Sequence, residues 1–279
     1  MPLSSKKPFV LSKQISIIGC GWLGLPLAKH LIKNNYNIKG STTTASKMDL
    51  LSAVGIEASI VRFSETEIIG NIAACLKNSK ILILNIPPGL RKNSDTNFVK
   101  RIQLLLPYIE TSTIKQVLFI SSTSVYADDE SFPIITEKSK PQPDTESGKQ
   151  LLSVEELLLK NKHFDTTILR FSGLFGVDRH PAKWVSGKKE LKNPEAPVNL
   201  IHQQDCIAII TLILKYASWN MVLNASSPSH PTRKNYYTSA CKALNLPLPE
   251  FDDSSISKGK HIDSTKLVQL LNYEFKIKL

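Results

Sequence analysis

A short apolar run, Ile15 to Ile18, leads directly into Gly19-Cys20-Gly21-Trp22-Leu23-Gly24, and apolar residues then recur at helical spacing through Leu25, Leu27, Ala28, Leu31 and Ile32. Strand, glycine turn and helix in that order constrain the fold more than any other segment. One glycine makes the tight turn, the next lets backbone approach a pyrophosphate, and the third packs helix against strand. Pro26 falls in the first helical turn, where its missing N–H costs least. Gly19, Gly21, Trp22, Leu23 and Gly24 are therefore the candidate dinucleotide cradle, with phosphate over a helix N-terminus.

The rest of the chain continues the alternation. Tyr36 to Lys39 reads as a second strand, and Gly40 to Thr44 as the loop after it, with a helix starting near Ser46. Ala58 to Phe63 reads as a strand, Ile68 to Leu76 as a helix, Ile81 to Leu84 as a buried strand, Phe98 to Leu106 as a helix and Val117 to Ile120 as another buried strand. The polar, proline-containing stretch Asp128 to Lys149 reads as a surface loop, followed by a helix at Gln150 to Lys160 and a strand at Thr166 to Arg170. Gly176 to Pro197 reads as irregular, Asp205 as the cap of a helix Cys206 to Tyr216, Met221 to Ala225 as a strand and Tyr236 to Leu244 as a helix. Strands alternating with helices imply an α/β fold with a Rossmann-like, doubly wound parallel sheet and a smaller C-terminal substrate-binding region. The expected division is a dinucleotide-binding domain at 1–170, completed by a strand near 221–225, and a mainly substrate-binding region at 171–279 interleaved with it.

The formal charge of +11 suits an anionic ligand, either a nucleotide or a nucleic acid. The basic residues are scattered, in pairs such as Lys6-Lys7 and Lys188-Lys189, without interleaved aromatics, which argues against nucleic acid. Cys20, Cys75, Cys206 and Cys241 have neither metal-ligand spacing nor the density of a disulfide scaffold, so reduced thiols, no metal and a cytoplasmic location are expected. No apolar run approaches the roughly 18–20 residues of a membrane span. A lipoprotein-type cleavage ahead of Cys20 is rejected because it would discard the first strand and split the glycine turn.

Four segments together resemble the extended branch of the short-chain dehydrogenase/reductase superfamily, the group of nucleotide-sugar epimerases and dehydratases. They are Gly19 to Gly24, Ser121-Ser122-Thr123-Ser124-Val125-Tyr126, Arg170 to Gly176 and Asn199 to Asp205, and Lys260 to Phe275 resembles the closing segment. The resemblance gives Ser122 the role of the serine that holds a substrate oxygen beside the nicotinamide; the alternative is a strand-end hydroxyl satisfying its own backbone. It makes Asn199, His202 and Asp205 mainly architectural. The superfamily's Tyr-x-x-x-Lys pair, in which lysine and cofactor lower the tyrosine pKa, is missing. Aligning on Lys149 puts Thr145 at the tyrosine position; aligning on Glu155 puts Ser147 and Leu151 at the tyrosine and lysine positions. Lys149, able to reach a ribose hydroxyl, and Tyr126, otherwise a core aromatic beneath the site, are the nearby substitutes, with Glu146 also close. The pattern is similar to the atypical members that keep the glycine turn and serine but lose the tyrosine.

After the second strand no acid occurs before Asp49, whereas Ser41, Thr42 and Thr43 offer hydroxyls and Lys39 and Lys47 offer charge. A 2′-phosphate is favoured over a bare ribose, so the expected cofactor is NADP(H) rather than NAD(H). Asn85 and Pro87, after the fourth strand, are expected to line the nicotinamide side. Substrate contacts are expected from Arg179, His180, Lys183, Trp184, Lys188 and Lys189. The functional expectation is an NAD(P)-dependent oxidoreductase or epimerase/dehydratase-like protein acting on a nucleotide sugar or other hydroxylated metabolite through a degenerate active site. The alternative is a non-catalytic NADP(H) sensor. The expected partners are the nicotinamide dinucleotide and a small-molecule substrate, with no nucleic acid and no membrane, and by analogy a homodimer.

Overall fold

A computed structural model describes residues 13–90 and 94–279; Lys6 and Lys7 lie outside them. From the amino end come β1 (Gln14–Ile18), α1 (Gly24–Lys33), β2 (Asn37–Thr42), a 3-10 turn (Ala45–Lys47), α2 (Met48–Ser52), β3 (Ile56–Phe63), β4 (Ile68–Gly70) and α3 (Ile72–Leu76). Next are β5 (Ile81–Leu84), α4 (Phe98–Glu110), β6 (Gln116–Ser122), β7 (Ile134–Ile135), α5 (Glu146–Lys160), β8 (Asp165–Phe171) and β9 (Gly173–Phe175). The chain closes with α6 (Ala182–Val185), β10 (Leu200–His202), α7 (Gln203–Tyr216), β11 (Met221–Ala225), α8 (Arg233–Ala243), β12 (His261–Ile262) and α9 (Thr265–Leu271). The described residues fall into one compact unit drawn from residues 13–90, 94–121, Gln150–Leu169 and Ile207–Val222, and a second from Ser122–Lys149, Arg170–Cys206 and Leu223–Leu279.

The first unit is built on an eight-stranded sheet in the order β11-β8-β6-β5-β1-β2-β3-β4, with the last residues of β6, β8 and β11 passing into the second unit. Pairs β1–β2, β1–β5, β5–β6 and β2–β3 are parallel, and β3–β4 is antiparallel. Ile81 to Leu84 and Val117 to Phe119 are fully buried. That continuity is what a strand covered on both faces requires, and each such side chain contributes about 1.5–3 kcal/mol of burial. Helix α1 buries Gly24, Leu27, Ala28 and Leu31, a single stripe at helical spacing. The arrangement is a Rossmann-like α/β fold.

The structure corrects several sequence expectations. Gly40 to Thr42 form the buried end of β2 rather than a loop. A Cβ on Gly40 would lie 2.6 Å from both Cys20 Sγ and Ile56 Cγ2, so only glycine fits there, while the Ser41 and Thr42 hydroxyls accept backbone N–H groups. Ile68 to Gly70 form a strand, not the start of a helix: Gly70 has φ +104° against the carbonyl of Ile60, and Asn71 caps α3 by accepting from Ala74 N at 2.9 Å. Helix α4 continues past Leu106 through Pro107, whose missing N–H falls near the helix end while its carbonyl still accepts from Thr111 N. Within 128–149, β7 pairs with β12, and α5 begins at Glu146, four residues before the expected Gln150.

In the second unit, β9 pairs with β10, and Phe175, Val198, Leu200 and Tyr236 form a core cluster. Residues 176–197 are not wholly irregular, since Ala182–Val185 is helical. Asp205 does not cap a helix. Helix α7 already begins at Gln203, and buried Asp205 uses Oδ1 to accept from the Tyr273 hydroxyl at 2.6 Å and Lys276 N at 2.9 Å. Its carboxylate thus pins the closing segment.

Candidate functional site

The glycine turn separates into three roles. Gly19, at φ +103°, leaves no space for a Cβ, which would sit 2.2 Å from the Asn85 carbonyl oxygen. Gly24 is equally closed, because a Cβ would lie 2.1 Å from the Gly19 carbonyl oxygen and force α1 off the turn. Gly21 is exposed, and a Cβ there would meet nothing within 4 Å. Helix α1 follows with no side-chain cap and no acid in its first turn, leaving its positive end uncompensated. A closed turn, an open backbone and an acid-free helix N-terminus fit a dinucleotide pyrophosphate. Trp22 is half-buried and Leu23 is buried.

Asn85 holds the turn from the next strand, donating Nδ2 to Gly19 O at 2.9 Å and its backbone N–H to Ile18 O at 2.9 Å. Pro87 is exposed beyond it. Ser41 is buried and serves the turn: its Oγ accepts from Gly19 N at 3.0 Å, and its carbonyl accepts from Cys20 N at 3.0 Å. Thr42 is buried, with Oγ1 accepting from Thr44 N, whereas Thr43 is exposed. Lys39, whose charge the sequence offered to a phosphate, is buried and ion-paired with its cross-strand neighbour Glu57. The cation beside the loop is instead Arg62, at the end of β3, which donates Nε to Thr43 O at 2.7 Å. Only the strand register brings Arg62 there, so local sequence gave no sign of it.

Cys20 and Cys75 are buried, and burial pushes each thiol up to about 12, so both stay protonated. Among the described residues no cluster of His, Cys, Asp or Glu could hold a metal, and no helix is long and apolar enough to cross a membrane.

Ser122 ends β6 and belongs to the second unit. Its Oγ accepts from Ser124 N at 3.1 Å, and it also lines a cavity of about 360 Å3, so the backbone-satisfying and site-facing readings coexist. Tyr126 is buried, with its hydroxyl donating to Asn224 Oδ1 at 3.1 Å and accepting from Arg170 Nη1; it is not among the cavity-lining residues. Thr145 begins α5 by accepting Gly148 N at Oγ1, 3.1 Å away. Gly148 fits against Ser124, where a Cβ would lie 2.2 Å from its carbonyl oxygen, and buried Glu155 accepts from Ser121 Oγ at 2.5 Å. These contacts fix the rotation of the helix. Ser147, Leu151 and Glu155 share one face at four-residue intervals, with Leu151 buried. Lys149 is exposed, about 200° around the helix from Ser147.

The remaining cavity wall includes Asp128, Asn193, Arg233, Lys258 and Lys260. None of Arg179, His180, Lys183, Trp184, Lys188 and Lys189 is among its lining residues. Arg179 stacks over Trp184 at 5.7 Å, His180 over Tyr236 at 6.5 Å, and Lys189 pairs with Glu250. The basic Lys258-Gly259-Lys260 step was the signal available in the sequence.

Over 267 residues the chain is 32% identical to Protein YeeZ of Escherichia coli strain K12, covering 95% of this chain and 96% of YeeZ. The chain belongs to the YeeZ family. Residues 14–130 of this YeeZ-family chain match the NAD binding domain of 6-phosphogluconate dehydrogenase. UDP-glucuronic acid 4-epimerase from Bacillus cereus, solved with NAD, shares the fold at TM-score 0.77 and 20% identity, covering 95% of this chain and 92% of that one. A short-chain dehydrogenase/reductase superfamily protein from Agrobacterium tumefaciens, with bound NAD, aligns at TM-score 0.74 and 16% identity, covering 95% and 93%. The YeeZ-family chain thus shares the fold of these epimerase and dehydrogenase/reductase structures, and it lacks a Tyr-x-x-x-Lys pair.

Proposed function

We propose that the protein is an NADP(H)-dependent oxidoreductase or epimerase/dehydratase-like enzyme acting on a nucleotide sugar or another hydroxylated metabolite, with a proton route that uses no tyrosine–lysine pair. The observation that carries this reading is Gly21, open to approach between two glycines that are sterically closed. The backbone from Gly21 to Gly24 would hold the pyrophosphate, with Trp22 and Leu23 shaping the turn. Asn85 and Pro87 would border the nicotinamide, and Thr43 with Arg62 would take the 2′-phosphate. Ser41 and Thr42 support that loop from within. When bound, the dinucleotide supplies or accepts hydride.

Ser122 has the catalytic role of holding a substrate oxygen, since an oxygen that accepts Ser124 N–H still has its own proton to donate. Tyr126 acts as a positioning residue through Arg170, and Lys149, at the exposed start of α5, remains the group for a ribose hydroxyl. The same reading has the protein act in the cytoplasm, as a homodimer through α5. One observation favours a second reading, a non-catalytic NADP(H) sensor: in the alignment on Glu155, the lysine position is taken by Leu151, which is buried and apolar.

Fluorescence titration with NADPH and NADH, followed by hydride exchange against carbonyl and nucleotide-sugar substrates, tests both. The enzyme reading expects tighter NADPH binding, and turnover that Ser122→Ala lowers without changing NADPH affinity. Tight binding with no exchange on any substrate selects the sensor, and tighter NADH binding overturns the cofactor preference.

A further inference from the structure

The cavity that contains Ser122 lies wholly within the second unit and has a volume of about 360 Å3. That is near the lower end of small-molecule sites, which run from about 300 to 1,000 Å3. Its lining residues include no aromatic side chain, and their largest apolar groups are Ala196 and Pro197. The wall therefore offers a nucleobase neither an aromatic stacking partner nor an apolar slot.

Three cations reach this cavity. Lys260 Nζ is 2.6 Å from Asp128 Oδ1, and Lys258 Nζ is 3.1 Å from Glu130 Oε1. Arg233 has no carboxylate partner among the described residues. Its Nη1 donates to the Lys192 carbonyl at 2.8 Å, and its guanidinium lies 6.0 Å from the Tyr237 ring centroid. A guanidinium carries five N–H donors in a planar fork, so most of this one's capacity is left for an oxyanion. Its backbone is fixed, with Arg233 N donating to Ala196 O at 2.9 Å.

The other polar groups suit hydroxyls. Asn193 Oδ1 accepts from Lys258 N at 3.3 Å, which leaves its amide NH2 to donate, and Asp128 keeps a second carboxylate oxygen to accept. The wall is preformed. Asp129 and Gly259 exchange both backbone hydrogen bonds at 3.0 Å, and Asn199 donates to Lys260 O at 2.7 Å while accepting Ile262 N at 3.0 Å. A rigid wall leaves little ordering entropy to lose on binding.

We propose that this cavity selects a small polyhydroxylated anion, a sugar phosphate or sugar acid, whose anionic group docks on Arg233, and that it does not bind a nucleotide sugar. The proposal narrows the hydroxylated-metabolite reading above and rests on it for the identity of the site, but its test needs no turnover. Calorimetric titration of the full-length protein would compare glucose 6-phosphate, glucuronate, glucose, UDP and UDP-glucose, with NADPH affinity measured on the same samples.

One or both acids bind, glucose binds about tenfold more weakly or worse, and Arg233→Gln removes about tenfold or more of the acid affinity while NADPH affinity is unchanged. The better of the two acids tells phosphate from carboxylate. If Arg233→Gln lowers the melting temperature, Arg233→Lys carries the test, because it keeps a cation without the fork and lowers acid affinity several-fold with glucose unaffected. UDP or UDP-glucose binding more tightly than both acids, glucose matching them, neither acid binding, or unchanged acid affinity in the arginine variants overturns the proposal. If the acids bind as stated and NADPH does not, the cofactor reading falls and this one stands.

Discussion

The Ser41 hydroxyl accepts the Gly19 backbone N–H at 3.0 Å, joining the buried end of β2 to the first glycine of the turn. Ser41→Ala leaves that part-buried N–H without its acceptor, at a cost of about 1 kcal/mol. The expected outcome is a lower melting temperature together with weaker NADPH binding. Equilibrium denaturation and cofactor titration on the same variant check it, and a stability loss with NADPH affinity intact would show that the bond supports the strand and not the cradle.

Arg62 and Lys39 make opposite predictions although both are basic residues near one loop. Arg62 is exposed and touches Thr43, while Lys39 is buried against Glu57. Arg62→Ala is expected to weaken NADPH by about tenfold and leave NADH unchanged, the signature of a lost phosphate contact. Lys39→Met is expected to alter stability and leave the NADPH-to-NADH ratio as it was. Paired titrations measure both ratios, and equal loss for the two cofactors in Arg62→Ala would remove Arg62 from the phosphate site.

What was legible in the sequence is what local geometry dictates. The glycine spacing is legible because an apolar strand precedes it and a helical pattern follows, and the uninterrupted apolar run Ile81 to Leu84 points to a strand covered on both faces. The end of β2 was illegible because Gly40, Ser41 and Thr42 read as loop residues, and only the tertiary proximity of Cys20 and Gly19 explains their burial. The rotation of α5 was illegible because it is set by contacts distant in sequence, Gly148 against Ser124 and Glu155 against Ser121. The Lys258-Gly259-Lys260 step was visible in the sequence, but its meeting with Arg233 and Ser122 was not. Arg233 and Lys258 are 25 residues apart, and no periodicity links them to Ser122.

Two positions on α5 that the two alignments offer for the lysine make opposite predictions. Leu151→Lys places an ammonium where the native side chain is buried, and desolvation of that charge is expected to lower the melting temperature markedly. Lys149→Ala, on the exposed side, is expected to leave stability within about 0.5 kcal/mol of the parent, the usual range for surface changes. Thermal denaturation of the two variants side by side distinguishes these positions. A Leu151→Lys protein as stable as the parent would mean the helix face has access to water or to a partner charge.

Acid is expected to weaken the second unit through its histidines. His202 Nδ1 accepts Gln204 N at 3.2 Å and His180 Nδ1 accepts Ala182 N at 3.3 Å, bonds that exist only while those nitrogens are unprotonated. Burial holds His180, His202 and His230 below the ordinary value of 6.5, with Lys183 and His202 adding to the effect at His180. Because the folded form resists a proton that the unfolded chain takes up readily, the stabilisation is complete above about pH 6.5 and is lost as the pH falls through the depressed folded values. The melting temperature is therefore expected to drop between about pH 7 and pH 5, and His202→Gln to flatten part of that slope. Scanning calorimetry across the range reads it directly, and an unchanged slope in His202→Gln would assign the acid sensitivity to the other histidines.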